Sequence, residues 1–156
     1  MKTIRLALLG FGNAGQAFAR LLMKKQKELI STLDTRVLVS AIATHRKGTI
    51  LAEGSEGLNL DDLLQELEKT GRFSRDEGKT ALQVAEEADY DILVELTPLD
   101  IFSGEPAISH IKAGLNRRKQ VITANKGPVA WAYRELKDLA ARKGVDFLCE
   151  TTVMDG

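Results

Sequence analysis

Apolar and polar positions divide the chain into short buried runs separated by longer amphipathic ones. Ile4 to Leu9 is a compact apolar run ended by Gly10, the pattern of a strand covered on both faces in a parallel sheet. Ala14, Ala17, Phe18, Leu21 and Leu22 then recur at helical spacing before the chain turns polar through Lys24 to Glu28, as an amphipathic helix does. Val37 to Ala43 is again compact and rich in β-branched residues, so the opening order is strand, helix, strand, a βαβ unit. Thr44 to Gly57 scatters glycines and serines among charges and predicts a loop. Leu60, Leu63, Leu64 and Leu67 mark a helix stopped by Gly71, and Thr80 caps a shorter one through Leu82, Val84, Ala85 and Ala88. No strand is expected between these two helices. Asp91 to Leu96 is the next strand, broken by Thr97-Pro98, and a helix from Pro106 to Leu115 turns Ile108, Ile111 and Leu115 inward. Gln120 to Thr123 follows as a strand. Trp131, Leu136, Leu139 and Ala140 then share a helical face ending at Gly144, and Val145 to Cys149 forms the last strand. Strands alternating with helices throughout predict an α/β fold with a doubly wound, mainly parallel sheet.

Gly10-Phe11-Gly12-Asn13-Ala14-Gly15 reads G-x-G-x-x-G. Glycines are common in turns, so the pattern gains meaning from its place between a strand and a helix. There the first glycine permits a tight turn, the second lets a pyrophosphate approach the backbone, and the third lets the helix pack on the strand. The helix start adds free N–H groups and the positive end of a dipole. An acid about 20 residues further on would bind the ribose 2′-hydroxyl of NAD. The second strand is followed instead by Thr44-His45-Arg46-Lys47, a hydroxyl and two cations suited to the 2′-phosphate of NADP. His45 reads as a loop residue.

Ligands of a parallel sheet lie beyond the carboxyl ends of its strands. Thr97-Pro98, the run Thr123 to Pro128 and Glu150-Thr151-Thr152 are therefore expected to face one crevice. Lys126, expected on a loop framed by glycine and proline (Gly127-Pro128) that carries it into that crevice, is a candidate acid, base or electrostatic partner of an alcohol or carbonyl oxygen; its alternative is an ordinary exposed surface lysine.

Composition narrows the picture further. The 156 residues suffice for one domain with a real core. Twenty-two basic residues balance twenty-two acidic ones, so the broad positive field of a nucleic-acid binder is missing and any anion must be gripped locally. No apolar run approaches the roughly 20 residues of a membrane-spanning helix, and the first residues do not read as a signal peptide. One cysteine excludes an internal disulfide, and with two histidines it makes a poor zinc inventory. A reducing cytoplasm is the expected compartment.

Gly10 to Gly15, Glu95-Leu96-Thr97-Pro98, Glu105 to Ile111, Thr123-Ala124-Asn125-Lys126-Gly127-Pro128 and Glu150 to Val153 together resemble, in order, the nucleotide-binding half of homoserine dehydrogenase. Thr-Ala-Asn-Lys-Gly-Pro is the most specific piece. The resemblance implies a Rossmann-type domain over 1–149, with 150–156 beginning a hinge to a catalytic and dimerising domain. It also implies NAD(P)-dependent interconversion of L-homoserine and L-aspartate 4-semialdehyde, on the route to threonine, methionine and isoleucine. NADP is the expected cofactor, with NAD possible.

By the same resemblance, Phe11, Asn13 and Ala14 line the pyrophosphate turn with the three glycines, and Thr97 and Pro98 border the nicotinamide. Lys126, beside Asn125, reaches cofactor and reacting oxygen. Glu150, with Val153 and Asp155, would help hold a monovalent cation such as sodium, although Met154-Asp155 stands where the family is commonly glycine-rich. A homodimer acting on a small molecule is expected of the full-length enzyme, with neither nucleic acid nor membrane as partner, and these residues alone are expected to bind nucleotide without turnover. Two rivals remain: a stand-alone nucleotide-sensing module, and another Rossmann-fold enzyme such as a semialdehyde dehydrogenase. The latter needs a nucleophilic thiol, and Cys149 is expected inside a strand.

Overall fold

The computed structural model describes residues 1–152. Six strands form one sheet: β1 (Lys2–Leu9), β2 (Thr35–Ala43), β3 (Thr49–Leu51), β4 (Ile92–Glu95), β5 (Gln120–Thr123) and β6 (Phe147–Leu148), in the order β3-β2-β1-β4-β5-β6. Five helices, α1 (Asn13–Leu33), α2 (Leu60–Thr70), α3 (Ala81–Glu87), α4 (Ala107–Asn116) and α5 (Lys126–Lys143), connect the parallel strands, with α2 and α3 both falling between β3 and β4. All strand pairs are parallel except β2 with β3. This is the expected doubly wound α/β fold, with strand order reversing between β1 and β4, the place at whose carboxyl edge ligands of such sheets bind.

Two cores flank the sheet. Leu6, Leu8, Val39 and Ile42 meet Ala19, Leu22, Leu64 and Leu67 on one side. Ala7, Leu9, Leu93 and Val121 meet Val84, Ile111, Leu115 and Leu136 on the other. Neighbouring residues of β1 thus feed opposite cores, which is why its sequence is apolar without interruption. Gly71 and Thr80 act as expected: Gly71 takes the left-handed closing position of α2, and Thr80 forms a reciprocal capping box with Gln83; α2 is in addition capped by Asn59, which accepts from the amide of Asp62.

Several expectations are corrected. The Thr44 to Gly57 stretch contains β3, whose outer edge is held by the segment 75–79. The amide of Thr49 donates to Asp76, its carbonyl accepts from Glu77, its hydroxyl donates to the Lys79 carbonyl, and Arg75 donates to the Leu51 carbonyl. Helix α1 buries Gly15, Ala19 and Leu22, leaving Ala14, Ala17 and Leu21 exposed; small residues let it approach the sheet closely. Helix α5 starts at Lys126, five residues before Trp131. A break from helical geometry at Ala132 (φ −137°) accompanies a Trp131 that is 58% exposed rather than in the core. The last strand is only Phe147–Leu148, so Cys149 lies just beyond it.

Gly10 and Gly12 should separate folding from binding. A Cβ on Gly10 would lie 2.4 Å from the Leu96 carbonyl oxygen, at φ +97°, whereas one on Gly12 meets nothing within 4 Å. Gly10→Ala should therefore cost about 2–6 kcal/mol of stability, from a strained backbone plus a clash against main chain. Gly12→Ala should stay within about 0.5 kcal/mol of the parent. Urea unfolding of both variants checks the contrast.

Candidate functional site at the carboxyl edge of the sheet

The crossover between β1 and α1 forms a cradle. Gly10 lets the turn press against the segment after β4, and Gly15 packs so closely that a Cβ would lie 2.9 Å from the Gly10 carbonyl oxygen. Gly12, between them, is exposed and open. It caps α1 without a side-chain hydrogen bond, and no acid occupies the first turn, so the helix start offers N–H groups and positive potential to an anion. Asn13 and Ala14 are exposed there. Phe11 is buried, with its ring 6.2 Å from that of Phe73; only its main chain can line the turn.

The loop after β2 comes to the same cradle. Lys47 Nζ donates to the Phe11 carbonyl at 2.8 Å, and Gln16 donates to that oxygen at 3.2 Å. The Thr44 hydroxyl donates to the Gly48 carbonyl and accepts from the Lys47 amide, both at 2.8 Å. Thr44 therefore shapes the turn that delivers Lys47. Arg46 is exposed.

Beyond β4 and β5 the polar side chains bind one another. The carboxylate of buried Glu95 accepts from the amide and the hydroxyl of Thr97 and from the Thr123 hydroxyl. Asn125 donates to the carbonyls of Thr97 and Pro98, while its own side-chain oxygen accepts from the Gly127 amide. The side chains of Thr97 and Asn125 are thus committed within the protein, and Pro98 is exposed at the rim. Lys126 is exposed and is the first residue of α5 rather than part of a loop. A cation at the positive end of a helix is unfavourable for the helix itself, so its placement favours an anionic or oxygen-bearing neighbour. The Glu95 cluster is the feature that sequence reading passed over. Its signal was one acid near the end of the otherwise apolar run Ile92 to Leu96.

Glu150 begins a 3₁₀ turn over Glu150–Thr152 and is exposed, while Val153 and Asp155 lie outside the described residues. Among the described residues no group of three or more His, Cys, Asp or Glu side chains is arranged to hold a metal ion. Burial pushes the Cys149 thiol up from its ordinary value; Lys137 opposes this and Glu150 adds to it. Cys149 thus lacks the lowered pKa that activates a nucleophilic thiol, although it lies past the strand and not within it.

The loop 99–104 packs against Gly127 and Trp131 of α5. A Cβ on Gly127 would lie 3.0 Å from the Asp100 carbonyl oxygen, and the Trp131 indole donates to the Ile101 carbonyl at 3.1 Å. Amides of Ser103 and Phe102 donate to Asp100 and hold its carboxyl below the usual range. Because the folded value is lowered, this support is complete at neutral pH and is lost as pH falls through that value. Trp131 emission should therefore shift only below about pH 4, and Asp100→Ala should show the acid-like emission at neutral pH. A fluorescence titration checks both.

Residues 10–150 match the homoserine dehydrogenase NAD binding domain. The homoserine dehydrogenase of Methanocaldococcus jannaschii is 34% identical over 152 residues, covering 95% of this chain and 44% of that protein. The NAD(+)-dependent homoserine dehydrogenase of Pseudomonas canavaninivorans is 32% identical over 160 residues, covering 100% and 45%. A hyperthermophilic archaeal homoserine dehydrogenase, solved in complex with NADPH, superposes with a TM-score of 0.80 at 26% identity, covering 97% of this chain and 44% of that one. The chain spans between 29% and 45% of the length of the curated relatives it matches. With its glycine turn at the carboxyl end of β1 and a family match over residues 10–150, it belongs to the homoserine dehydrogenase NAD binding domain family.

Proposed function

We propose that this chain is the cofactor-holding part of an enzyme interconverting L-homoserine and L-aspartate 4-semialdehyde, and that it takes NADP in preference to NAD. The observation that carries the reading is the uncapped start of α1 behind an open Gly12, within a chain matched by that family almost end to end. The nicotinamide, when bound, supplies or accepts the hydride. The chain's own part is to hold and orient. Gly10 to Gly15 and the α1 amides would take the pyrophosphate, while Arg46 and Lys47 at the end of β2 would take the 2′-phosphate. Thr97 and Pro98 would border the ring through their main chain and rim, because the Thr97 hydroxyl is turned to Glu95. Lys126 would face the oxygen on which charge develops, where a fixed cation stabilises an alkoxide.

The NADP preference rests on charge. No acid follows β2 in the position that would pair with a 2′-hydroxyl, and Lys47 already reaches the glycine turn. The relative named as NAD(+)-dependent makes the preference a property to measure in this chain and not one to inherit. Arg46→Ala should lower NADPH affinity by about 1.5–3 kcal/mol, the range for a hydrogen bond to a charged group, and leave NADH nearly unchanged. Calorimetric titration of the chain with both cofactors tests the site and the preference together; equal affinities would overturn the preference.

Lys126 is tested in the whole enzyme. Lys126→Ala should lower kcat by about a hundredfold or more, the scale of a lost proton-transfer or electrostatic group. Its stability should stay within about 0.5 kcal/mol of the parent. Normal turnover of L-homoserine by this variant would remove Lys126 from the reaction.

A further inference from the structure

Glu95 is the least expected residue in the fold. It ends β4, is fully buried, and replaces an apolar side chain where carboxylates are costly to desolvate. Its surroundings are built from donors. One oxygen, Oε1, accepts from the Thr97 amide at 2.9 Å and from the Thr97 hydroxyl, and the other, Oε2, accepts from the Thr123 hydroxyl at 3.1 Å. The Thr123 oxygen accepts in turn from the Asn125 amide at 3.0 Å, and Asn125 Nδ2 donates back to the Thr97 carbonyl at 3.0 Å. These bonds close a ring through Glu95, Thr97, Asn125 and Thr123. The ring joins the segment after β4 to the segment after β5, and the next residue along the chain from it is Lys126.

Behind the ring stands His110 of α4, 3% exposed. Its Nδ1 is 3.9 Å from Glu95 Oε1 and is the one buried side-chain nitrogen or oxygen without a hydrogen-bond partner among the described residues. A shift of less than about 1 Å would bring it within bonding distance. A protonated Nδ1 would have the Glu95 carboxylate as the acceptor facing it, through the same Oε1 atom that Thr97 holds.

We propose that Glu95 is a positioning residue for the nicotinamide end of the cofactor: through the ring it sets the spacing of the Thr97-Pro98 and Asn125-Lys126 segments. This rests on the reading of a nicotinamide cofactor at this edge of the sheet. The adenosine end lies with the glycine cradle and Lys47, across β1 and outside the ring. Glu95 should therefore matter for one half of the cofactor and not for the other, a division that a general loss of stability would not produce.

The test compares NADPH with 2′,5′-ADP, which carries the phosphorylated adenosine but no nicotinamide. Both are titrated into the parent chain, Glu95→Gln and Thr123→Val. The first variant puts a donor among donors at nearly constant shape, and the second removes the relay hydroxyl isosterically and keeps the test open if the first folds poorly. Each variant that folds should lose about tenfold in NADPH affinity, the scale of one or two hydrogen bonds, and change less than about twofold for 2′,5′-ADP. Emission from the bound reduced nicotinamide should weaken in the same variants. Equal losses for both ligands, or no loss for either, would overturn the positioning role. A parent chain that binds 2′,5′-ADP and not NADPH, or neither, would overturn the nicotinamide reading itself, and is told apart because the failure appears before any substitution.

Discussion

The close meeting of β1 and β4 at their carboxyl ends is the constraint on which the rest depends. The Leu96 amide donates to the Leu9 carbonyl at 2.7 Å, and Gly10 leaves so little room that a methyl group would collide with the Leu96 carbonyl. From that contact the chain parts in two directions. The glycine turn and α1 go one way, with the β2 loop reaching in through Lys47. The Glu95 ring and Lys126 go the other. A residue able to occupy φ +97° without a side chain is what permits both halves of the crevice to start from one point.

How far the sequence revealed this arrangement depended on the length scale of each signal. Helical periodicity located all five helices, and compact apolar runs located the strands that pair in parallel, with the last one expected longer than the two residues it has. Thr80 and Gly71 marked a start and a stop that the fold keeps, whereas the Asn59 cap of α2 shows only in the structure. β3 escaped notice because three residues cannot display a period, and its pairing with β2 is long-range information. Helix α5 looked shorter than it is because Gly127 and Pro128 read as breakers. In the first turn of a helix, however, proline forfeits no hydrogen bond that the helix would make. Hydrophobicity also misled at α1, where close packing selects Gly15 and Ala19 over Leu21.

The candidate site was legible where chemistry is carried by main chain and illegible where it is carried by pairing. The three glycines could be assigned separate tasks from their order alone, and each has a distinct surrounding in the fold. Thr44, Thr97 and Asn125 looked equally available to a ligand in one dimension. In three dimensions their polar atoms serve one another or nearby backbone. With no net charge in the sequence, the exposed cations Arg46 and Lys126 act as local features and not as parts of a broad field.

The antiparallel β3 has a meaning apart from any ligand. A flanking strand normally presents unpaired main-chain groups to whatever chain approaches, and this invites sheet-to-sheet association. Here Asp76, Glu77 and Arg75 occupy the outward amide and carbonyl of Thr49 and the carbonyl of Leu51. On this flank the protein is therefore closed to strand addition, so templated aggregation would have to begin by peeling back the 75–79 segment. Recruitment of partners on this side is correspondingly restricted to side-chain contacts.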